Sequence, residues 1–176
     1  MESRIDFLIK RYAIALAGDD KICVNYVGDA RKAGVLDEII SSKPQIIARL
    51  TEQKEARKKK YAEYCAKLAA IPGLEELQNA ISDLDLWHEE YEASFAECGG
   101  LGVRPKPQYD LAAMRKDHPR AAAYLKARSY ASSIIWAKSK AGQDAVDAIL
   151  NGADYEAAIE KMEKQWASYC EEHVWD

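Results

Sequence analysis

The amino-acid sequence predicts a mainly α-helical protein, a helical hairpin or bundle with a small N-terminal α/β appendage that contains one strand. Two long segments, 44–71 and 73–97, carry apolar residues at alternating spacings of three and four, the spacing of one buried helix face. Pro72-Gly73 separates them and predicts a tight turn. One run, 22–27, is rich in β-branched and aromatic residues and is the best strand candidate.

These patterns divide the 176 residues into three parts. Residues 1–43 are predicted to form a small helix–strand–helix module, 44–71 a long connecting helix, and 72–176 a helical bundle. Hydrophobic residues make up 48% of the chain, which is enough to form a buried core in a chain of this length.

The strand at 22–27 has no convincing partner elsewhere in the sequence. The preceding helix is predicted to run from a cap at Ser3 to residue 17, and Gly28-Asp29 ends the strand. An unpaired strand exposes N–H and C=O groups along its edges. We therefore expect it to pair with irregular chain nearby or with a second copy of the protein. Only the second option implies a homodimer, formed through the N-terminal strand.

The two long helices are expected to pack as an antiparallel hairpin. Counted outward from Pro72-Gly73, Leu68 faces Leu77 and Tyr64 faces Ile81. Equal spacing on the two sides of the turn brings the two apolar faces together.

Local signals mark the helices of the C-terminal part. Asp110 is expected to cap a short helix, and Pro119 to begin another. Residues 119–141 place small alanines along one face, which would let a neighbouring helix approach closely. A further helix ends at Asn151-Gly152, and the last one begins at Asp154.

Charge is arranged in alternating blocks. Residues 43–67 have a net charge of +5, residues 72–98 of −8, residues 103–140 of +7 and residues 141–176 of −7. Neighbouring helices of opposite sign attract, which favours their pairing. The acidic zone 75–97 alternatively fits a nucleic-acid channel by charge mimicry. The chain as a whole carries −4, so there is no global basic signal for nucleic acid.

The sequence lacks features of a secreted or membrane protein. Its N-terminus has no basic region followed by a long apolar run. No stretch approaches the roughly 20 apolar residues that a membrane span requires. The four cysteines are scattered without a CxxC pair, which is typical of reduced thiols, so we expect a cytoplasmic protein.

No motif of useful specificity indicates catalysis, and we expect no enzymatic activity, no cofactor and no metal. The glycine-rich loop at 98–107 follows a helix and lacks Gly-Lys-Ser/Thr, which favours a plain connection over a phosphate cradle. Cys170 and His173 share a helix face, but they supply two ligands where zinc needs three or four. For His88 and His173, packing or capping is the favoured interpretation.

The sharpest polar feature is the basic segment, which we define as residues 54–60. One interpretation is a solvated helix that bridges two lobes. The other is a contact with phosphates or with an acidic protein surface. The candidate contact residues are all cations: Lys54, Arg57, Lys58, Lys59, Lys60, Arg104 and Lys106.

Residues 5–50 resemble a small docking module at the N-termini of some synthetase and primase-like proteins. The matching features follow one another along the chain: an opening helix, Ile22-Cys23-Val24, Gly28-Asp29, Gly34-Val35-Leu36, and Lys43-Pro44-Gln45-Ile46-Ile47 leading to Leu50. That module has a second strand before its glycine, where this chain has Ala30-Arg31-Lys32-Ala33.

The C-terminal part is similar to small helical proteins carried by phages and plasmids of gut Firmicutes, a group that includes a suspected anti-CRISPR inhibitor of Cas9. The similar stretches are Ile71-Pro72-Gly73-Leu74, then Cys98-Gly99-Gly100-Leu101-Gly102-Val103 with Pro105-Lys106-Pro107, then His118-Pro119-Arg120-Ala121-Ala122-Ala123-Tyr124-Leu125. The resemblance implies an inhibitor that binds the effector, its DNA, or both.

We therefore expect a non-catalytic binding protein of a mobile element that blocks a host nuclease complex, with Cas9 as the named partner. A DNA-binding or replication-accessory protein is the first alternative, and a structural or assembly protein is the second. The expected partners are thus a protein, nucleic acid, or both, and no membrane.

Overall fold

The computed structural model describes residues 3–18, 20–99 and 102–173. Within these residues the chain forms nine helices and two short strands. The prediction of a mainly α protein with a small N-terminal α/β part is confirmed. The chain divides into two compact units, residues 1–64 and 65–176.

The first unit contains three short helices, a two-stranded sheet and the first part of a long helix. In chain order these elements are α1 Arg4–Arg11, β1 Ile14–Leu16, β2 Ile22–Val24, α2 Val27–Lys32, α3 Leu36–Ser41 and α4 Lys43–Ala69. The boundary between the units falls inside α4, so this helix contributes residues to both.

The sheet of the first unit corrects the prediction for its first helix. That helix does not continue to residue 17, because α1 ends at Arg11 and Ala13 adopts a positive φ of 46°. Few non-glycine residues adopt this backbone conformation, and it turns the chain into β1. Ile14 then lies opposite Val24 in an antiparallel pair, and its side chain is buried. Strand pairing and burial thus override the local helical preference.

The predicted strand is confirmed in a shorter form, Ile22–Val24, and its partner is β1. The argument for a homodimer rested on an unpaired strand, so that argument no longer applies and the homodimer stays a prediction without this support. Residues 27–32 form helix α2. The sheet therefore uses a strand that precedes 22–24, whereas the docking module has its second strand after it.

An apolar core and surface ion pairs hold the first unit together. The fully or nearly buried side chains are Leu8, Tyr12, Ile14, Ala30, Ile39 and Ile46. Arg4 pairs with Glu38 at 2.7 Å, and Arg49 pairs with Asp6 at 2.8 Å. The hydroxyl of Ser3 also donates to Asp6 at 2.8 Å. These contacts tie α1 to α3 and to α4.

We expect the first unit to lose stability in acid. The hydrogen bond from Arg49 is the main cause that lowers the pKa of Asp6, and the one from Arg4 lowers the pKa of Glu38. When the pKa of a carboxyl is lower in the folded state than in the unfolded state, that carboxyl stabilises the fold at every pH above its unfolded-state pKa. This stabilisation is lost as the pH falls through the folded-state pKa of the carboxyl. For these two groups the loss occurs below about pH 4, the ordinary range of a carboxyl.

Amide hydrogen exchange within α1, measured as the pH is lowered, tests this expectation. Asp6→Asn should make the exchange rate of α1, corrected for intrinsic pH dependence, vary less with pH than in the unmodified protein. Glu160→Gln is the matched control, since Lys164 lowers the pKa of Glu160 in the second unit. An equal response of α1 to both substitutions would contradict the assignment.

The second unit is a bundle of α-helices. Besides the end of α4 it contains α5 Leu74–Cys98, α6 Leu111–Asp117, α7 Pro119–Ala131, α8 Trp136–Leu150 and α9 Tyr155–Glu172. The predicted starts are confirmed: Asp110 accepts hydrogen bonds from the backbone of α6, Asp154 from that of α9, and Pro119 begins α7. In the described ranges, no helix has both the length and the apolar character needed to cross a membrane.

Small residues bring α7 and α8 close together. The alanines predicted to allow close approach are buried at Ala123, Ala127 and Ala141. Residues 119–141 do not form one continuous face, however, because α7 ends at Ala131 and α8 begins at Trp136. The chain reverses between them, and the two helices pack through the alanine-rich surfaces that the sequence analysis placed on one helix.

The predicted hairpin is not formed as an extended contact, because within the second unit α5 packs against α6 and α7 rather than along α4. Leu68 packs against the core cluster of the second unit, which contains Leu77. Farther along the predicted seam of α5, Tyr91 is 39% and Phe95 is 60% exposed, so this part of the pattern does not mark a buried interface. The pairing of Tyr64 with Ile81 stays a prediction.

Candidate functional site

The basic segment lies on a stretch of α4 that is exposed on every side. All residues from 54 to 63 are exposed. This stretch covers nearly three turns of helix, at about 3.6 residues per turn. Side chains on each face of this part of α4 are therefore accessible to a partner.

Most of the positive charge in the basic segment is not neutralised within the protein. Lys58 donates to Glu55 at 2.8 Å, and this hydrogen bond is the main cause that lowers the pKa of Glu55. Among the residues that the structure describes, the other four cations form no ion pair: Lys54, Arg57, Lys59 and Lys60. An excess of accessible positive charge attracts phosphates or clustered carboxylates.

Three cations of the basic segment, including the paired Lys58, border an apolar groove within the first unit. Lys54, Arg57 and Lys58 occupy one helix face, since they are spaced by three and four. They line an open groove of about 500 Å³ between α4, α1 and β1. The apolar side chains of this groove are Ile9, Ile14, Ala15, Leu16 and Leu50. The site can therefore combine ionic contacts with apolar contacts.

An exposed aromatic residue extends this face of α4. Tyr61 lies four residues after Arg57 and three after Lys58, and it is 70% exposed. Aromatic rings beside cations can stack on nucleic-acid bases or pack against protein side chains.

Sequence reasoning found the cations but missed the groove beside them. The groove depends on β1, and that segment was predicted as helix. The signal that could have revealed it is Gly18-Asp19-Asp20 between two short apolar runs, which is typical of a hairpin turn.

The remaining two candidate contact residues lie in the second unit, on the segment that precedes α6. Arg104 pairs with Asp83 at 3.1 Å and with Glu90 at 3.1 Å, so its charge is neutralised within the protein. Lys106 places its ammonium 5.4 Å from the centre of the Trp87 ring. Both side chains thus hold their own segment against α5.

The candidate metal-ligating residues have ordinary packing contacts. The ring of His173 stacks on Tyr169 at 4.1 Å, and Cys170 is exposed. His88 meets the Trp87 ring edge-on at 5.0 Å. In the parts of the chain that are described, no cluster of three His, Cys, Asp or Glu side chains is arranged to hold a metal ion. In the glycine-rich loop, residues 100 and 101 lie outside the described ranges.

A larger groove, of about 840 Å³, lies between α5, α7 and α9 in the second unit. Its surface is mainly apolar and includes Leu77, Leu125 and Ile159. An ion pair between Lys126 and Glu163 crosses its rim. Such a lining suits apolar contact rather than acid–base chemistry.

Comparisons with known proteins give no relative for this chain: no family model, no curated protein and no solved structure matches it.

Proposed function

We propose that this protein is a cytoplasmic, non-catalytic binding protein of a mobile genetic element that inhibits a host nuclease complex, with a Cas9-type nuclease as partner. The observation that supports binding is the basic segment, exposed on all sides with four cations that form no ion pair among the described residues. The choice of a nuclease rests on the resemblance of the C-terminal part to proteins of phages and plasmids.

The basic segment suits such a partner for an electrostatic reason. A nuclease loaded with guide RNA and target DNA presents phosphates along its channel, and clustered cations compete for or cover such surfaces. The apolar groove beside Lys54 and Arg57 adds surface that a protein side chain can fill. Contact with both components would give the inhibitor specificity for the assembled complex.

The perturbed ionisable groups are engaged in ion pairs within the protein. Each described group with a shifted pKa owes the shift mainly to a hydrogen bond within a surface ion pair, such as Arg4–Glu38, Arg49–Asp6 or Lys140–Asp144. Exposed pairs of this kind contribute little to stability, and their charges are satisfied within the protein. The charge available to a partner resides instead in the basic segment.

One observation favours the alternative of a DNA-binding or replication-accessory protein. Tyr61 is 70% exposed on the same helix face as Arg57 and Lys58. A ring beside two cations is suited to stack on a base while the cations contact phosphates. A binder of this kind would retain naked DNA with a steep dependence on salt.

Alanine replacement of the basic segment tests the proposed function. The variant Arg57→Ala/Lys58→Ala/Lys59→Ala/Lys60→Ala removes four charges from an exposed stretch, and alanine favours helix, so the fold should survive. The measurement is inhibition of target-DNA cleavage by a purified Cas9–guide complex, with titrated protein. We expect inhibition to weaken and to lose part of its salt dependence, by a slope of about one for each lost phosphate contact.

A matched control removes four exposed cations elsewhere in the first unit. They are Lys10, Arg11, Arg31 and Lys32. This control should inhibit like the unmodified protein. Full inhibition by the basic-segment variant would reject the segment as the contact. Absence of inhibition by the unmodified protein across several Cas9 types, with salt-dependent binding to naked DNA, would favour the DNA-binding alternative.

A further inference from the structure

The sheet of the first unit has an open edge at β1. Ala17 donates its N–H to the carbonyl of Lys21 at 2.8 Å, so this pair at the end of the hairpin is hydrogen-bonded. Hydrogen-bonded and non-hydrogen-bonded pairs alternate along an antiparallel ladder. Ala15 therefore bonds to β2, whereas Ile14 and Leu16 direct their N–H and C=O groups away from β2.

The outward backbone groups of Ile14 and Leu16 have no hydrogen-bond partner among the residues that the structure describes. A row of unpaired N–H and C=O groups on an edge strand is a template for another strand. Each residue of an added antiparallel strand that lies opposite Ile14 or Leu16 can exchange both hydrogen bonds with it. The edge of β1 is therefore able to accept a further strand.

The apolar groove of the first unit borders this edge. All three residues of β1 line the groove, although their side chains alternate between the two faces of the sheet. Within the described residues, β2 contributes nothing to the lining. The groove therefore lies along the side of β1 that faces away from β2. Ile9 of α1 and Leu50 of α4 add apolar side chains to it.

The opposite side of the groove carries positive charge. Lys54 and Arg57 line it from α4, and neither forms an ion pair with a described residue. Lys58 lines it as well and is paired with Glu55. No aspartate or glutamate is among the described residues that line the groove. A segment in the groove would thus meet unpaired backbone groups on one side, cations on the other, and apolar side chains between them.

We propose that the open edge of β1 binds an extended, acidic segment of a partner protein by strand addition. Apolar side chains at alternate positions of the segment pack beside Leu16 and Leu50, because every second side chain of a strand points to the same face. Carboxylates that flank them pair with Lys54 and Arg57. A nucleic-acid backbone has no row of amide and carbonyl groups to complete the edge, so these features favour a peptide.

This inference deepens the proposed function and rests on it for the presence of a protein partner. The proposed function uses the charge of the basic segment, whereas the strand edge specifies the backbone conformation and the side-chain pattern of what binds beside it. The edge therefore adds selectivity that cations alone do not provide.

Titration of the full-length protein with the peptide Glu-Val-Thr-Val-Glu, blocked at both ends, tests the inference. The readout is the amide NMR spectrum of isotope-labelled protein, in which the signals of Ile14 and Leu16 should shift most. N-methylation of one peptide amide at a time removes a donor without changing the charge. Binding should weaken by about tenfold at every second amide and change little at those between, because only alternate amides of a strand face its neighbour.

Leu16→Pro removes an N–H group from the open edge, and Ile22→Pro is its matched control. Leu16 and Ile22 lie opposite each other in a non-hydrogen-bonded pair, so the N–H of Ile22 points to the far edge of the sheet. Proline is tolerated where the N–H lies outside the ladder. Leu16→Pro should weaken peptide binding by about tenfold, and Ile22→Pro should not. The N-methylated peptides test the same contact without altering the protein, so the outcome does not depend on either variant folding.

Lys54→Gln/Arg57→Gln tests the preference for an acidic segment. It should weaken binding of the glutamate peptide by about fivefold and leave binding of its glutamine counterpart unchanged, since two exposed ion pairs are lost. The matched control is Lys59→Gln/Lys60→Gln, which removes two exposed cations of the same helix that do not line the groove. It should change binding of the glutamate peptide by less than about twofold.

Three results would overturn the inference. Absence of peptide-induced shifts at Ile14 and Leu16 would show that the edge is not a binding site. Equal loss of binding at every N-methylated amide would indicate contact without strand pairing. A dimer of the unmodified protein that Leu16→Pro dissociates would show that a second copy covers the edge. The titration contains no nuclease and no nucleic acid, so failure here leaves the inhibition test of the proposed function unaffected.

Discussion

Gly142→Ala should lower the free energy of unfolding by about 3 kcal/mol, although alanine usually favours a helix over glycine. Gly142 is buried in α8, and an added Cβ would lie 2.2 Å from the backbone nitrogen of Ala131. It would also lie 2.6 Å from the carbonyl carbon of Tyr130. Two of the colliding atoms belong to the backbone of α7, so no change of rotamer relieves them and the helices must separate.

Gly28→Ala is the matched control for this prediction. Gly28 is also helical, in α2, and an added Cβ there would meet no atom within 4 Å. That substitution should leave stability unchanged or raise it by about 0.5–1 kcal/mol, because alanine has the better helix propensity. Urea unfolding followed by circular dichroism compares the two variants. Similar midpoints for both would show that α7 and α8 are not in the close contact described above.

Gly73→Ala should have the second-largest effect, a loss of about 2 kcal/mol, because two separate terms add. Gly73 has a φ of +70°, and its added Cβ would lie 2.2 Å from the ring of His118. The left-handed backbone costs alanine about 1 kcal/mol. The collision is with a side chain that can move, so its cost should be smaller than the backbone collision at Gly142.

A double-mutant cycle separates the two terms. His118→Ala removes the ring, so Gly73→Ala introduced into that background should retain the backbone cost and lose the collision. The measured coupling should therefore be positive, with the double variant more stable than the sum of the single effects predicts. Additive effects would mean that the ring does not pack on the Pro72-Gly73 turn.

Charge helps to explain how the second unit assembles. The basic block 103–140 and the acidic blocks on either side of it meet through specific pairs, Arg104 with Asp83 and Lys126 with Glu163. This agrees with the expectation that helices of opposite sign are neighbours. The basic segment of α4 differs, because four of its cations form no such pair among the described residues. That difference is why it is the proposed contact for an anionic partner.

The sequence by itself determined the features that depend on a few neighbouring residues. The starts of α6, α7 and α9 follow from Asp110, Pro119 and Asp154, since a cap or a proline acts within one helical turn. The Pro72-Gly73 turn is equally local. The basic segment was also found from the sequence, because consecutive cations on a helix need no partner to be recognised.

Only the tertiary structure decided the features that depend on residues far apart in the chain. Ile14 is a strand residue because Val24 pairs with it, and the groove beside Lys54 exists because of that strand. Arg104 was predicted as a contact for a partner, yet its charge is neutralised by Asp83 and Glu90. Pairing, burial and charge neutralisation each depend on which distant groups come together, and local residue patterns do not specify this.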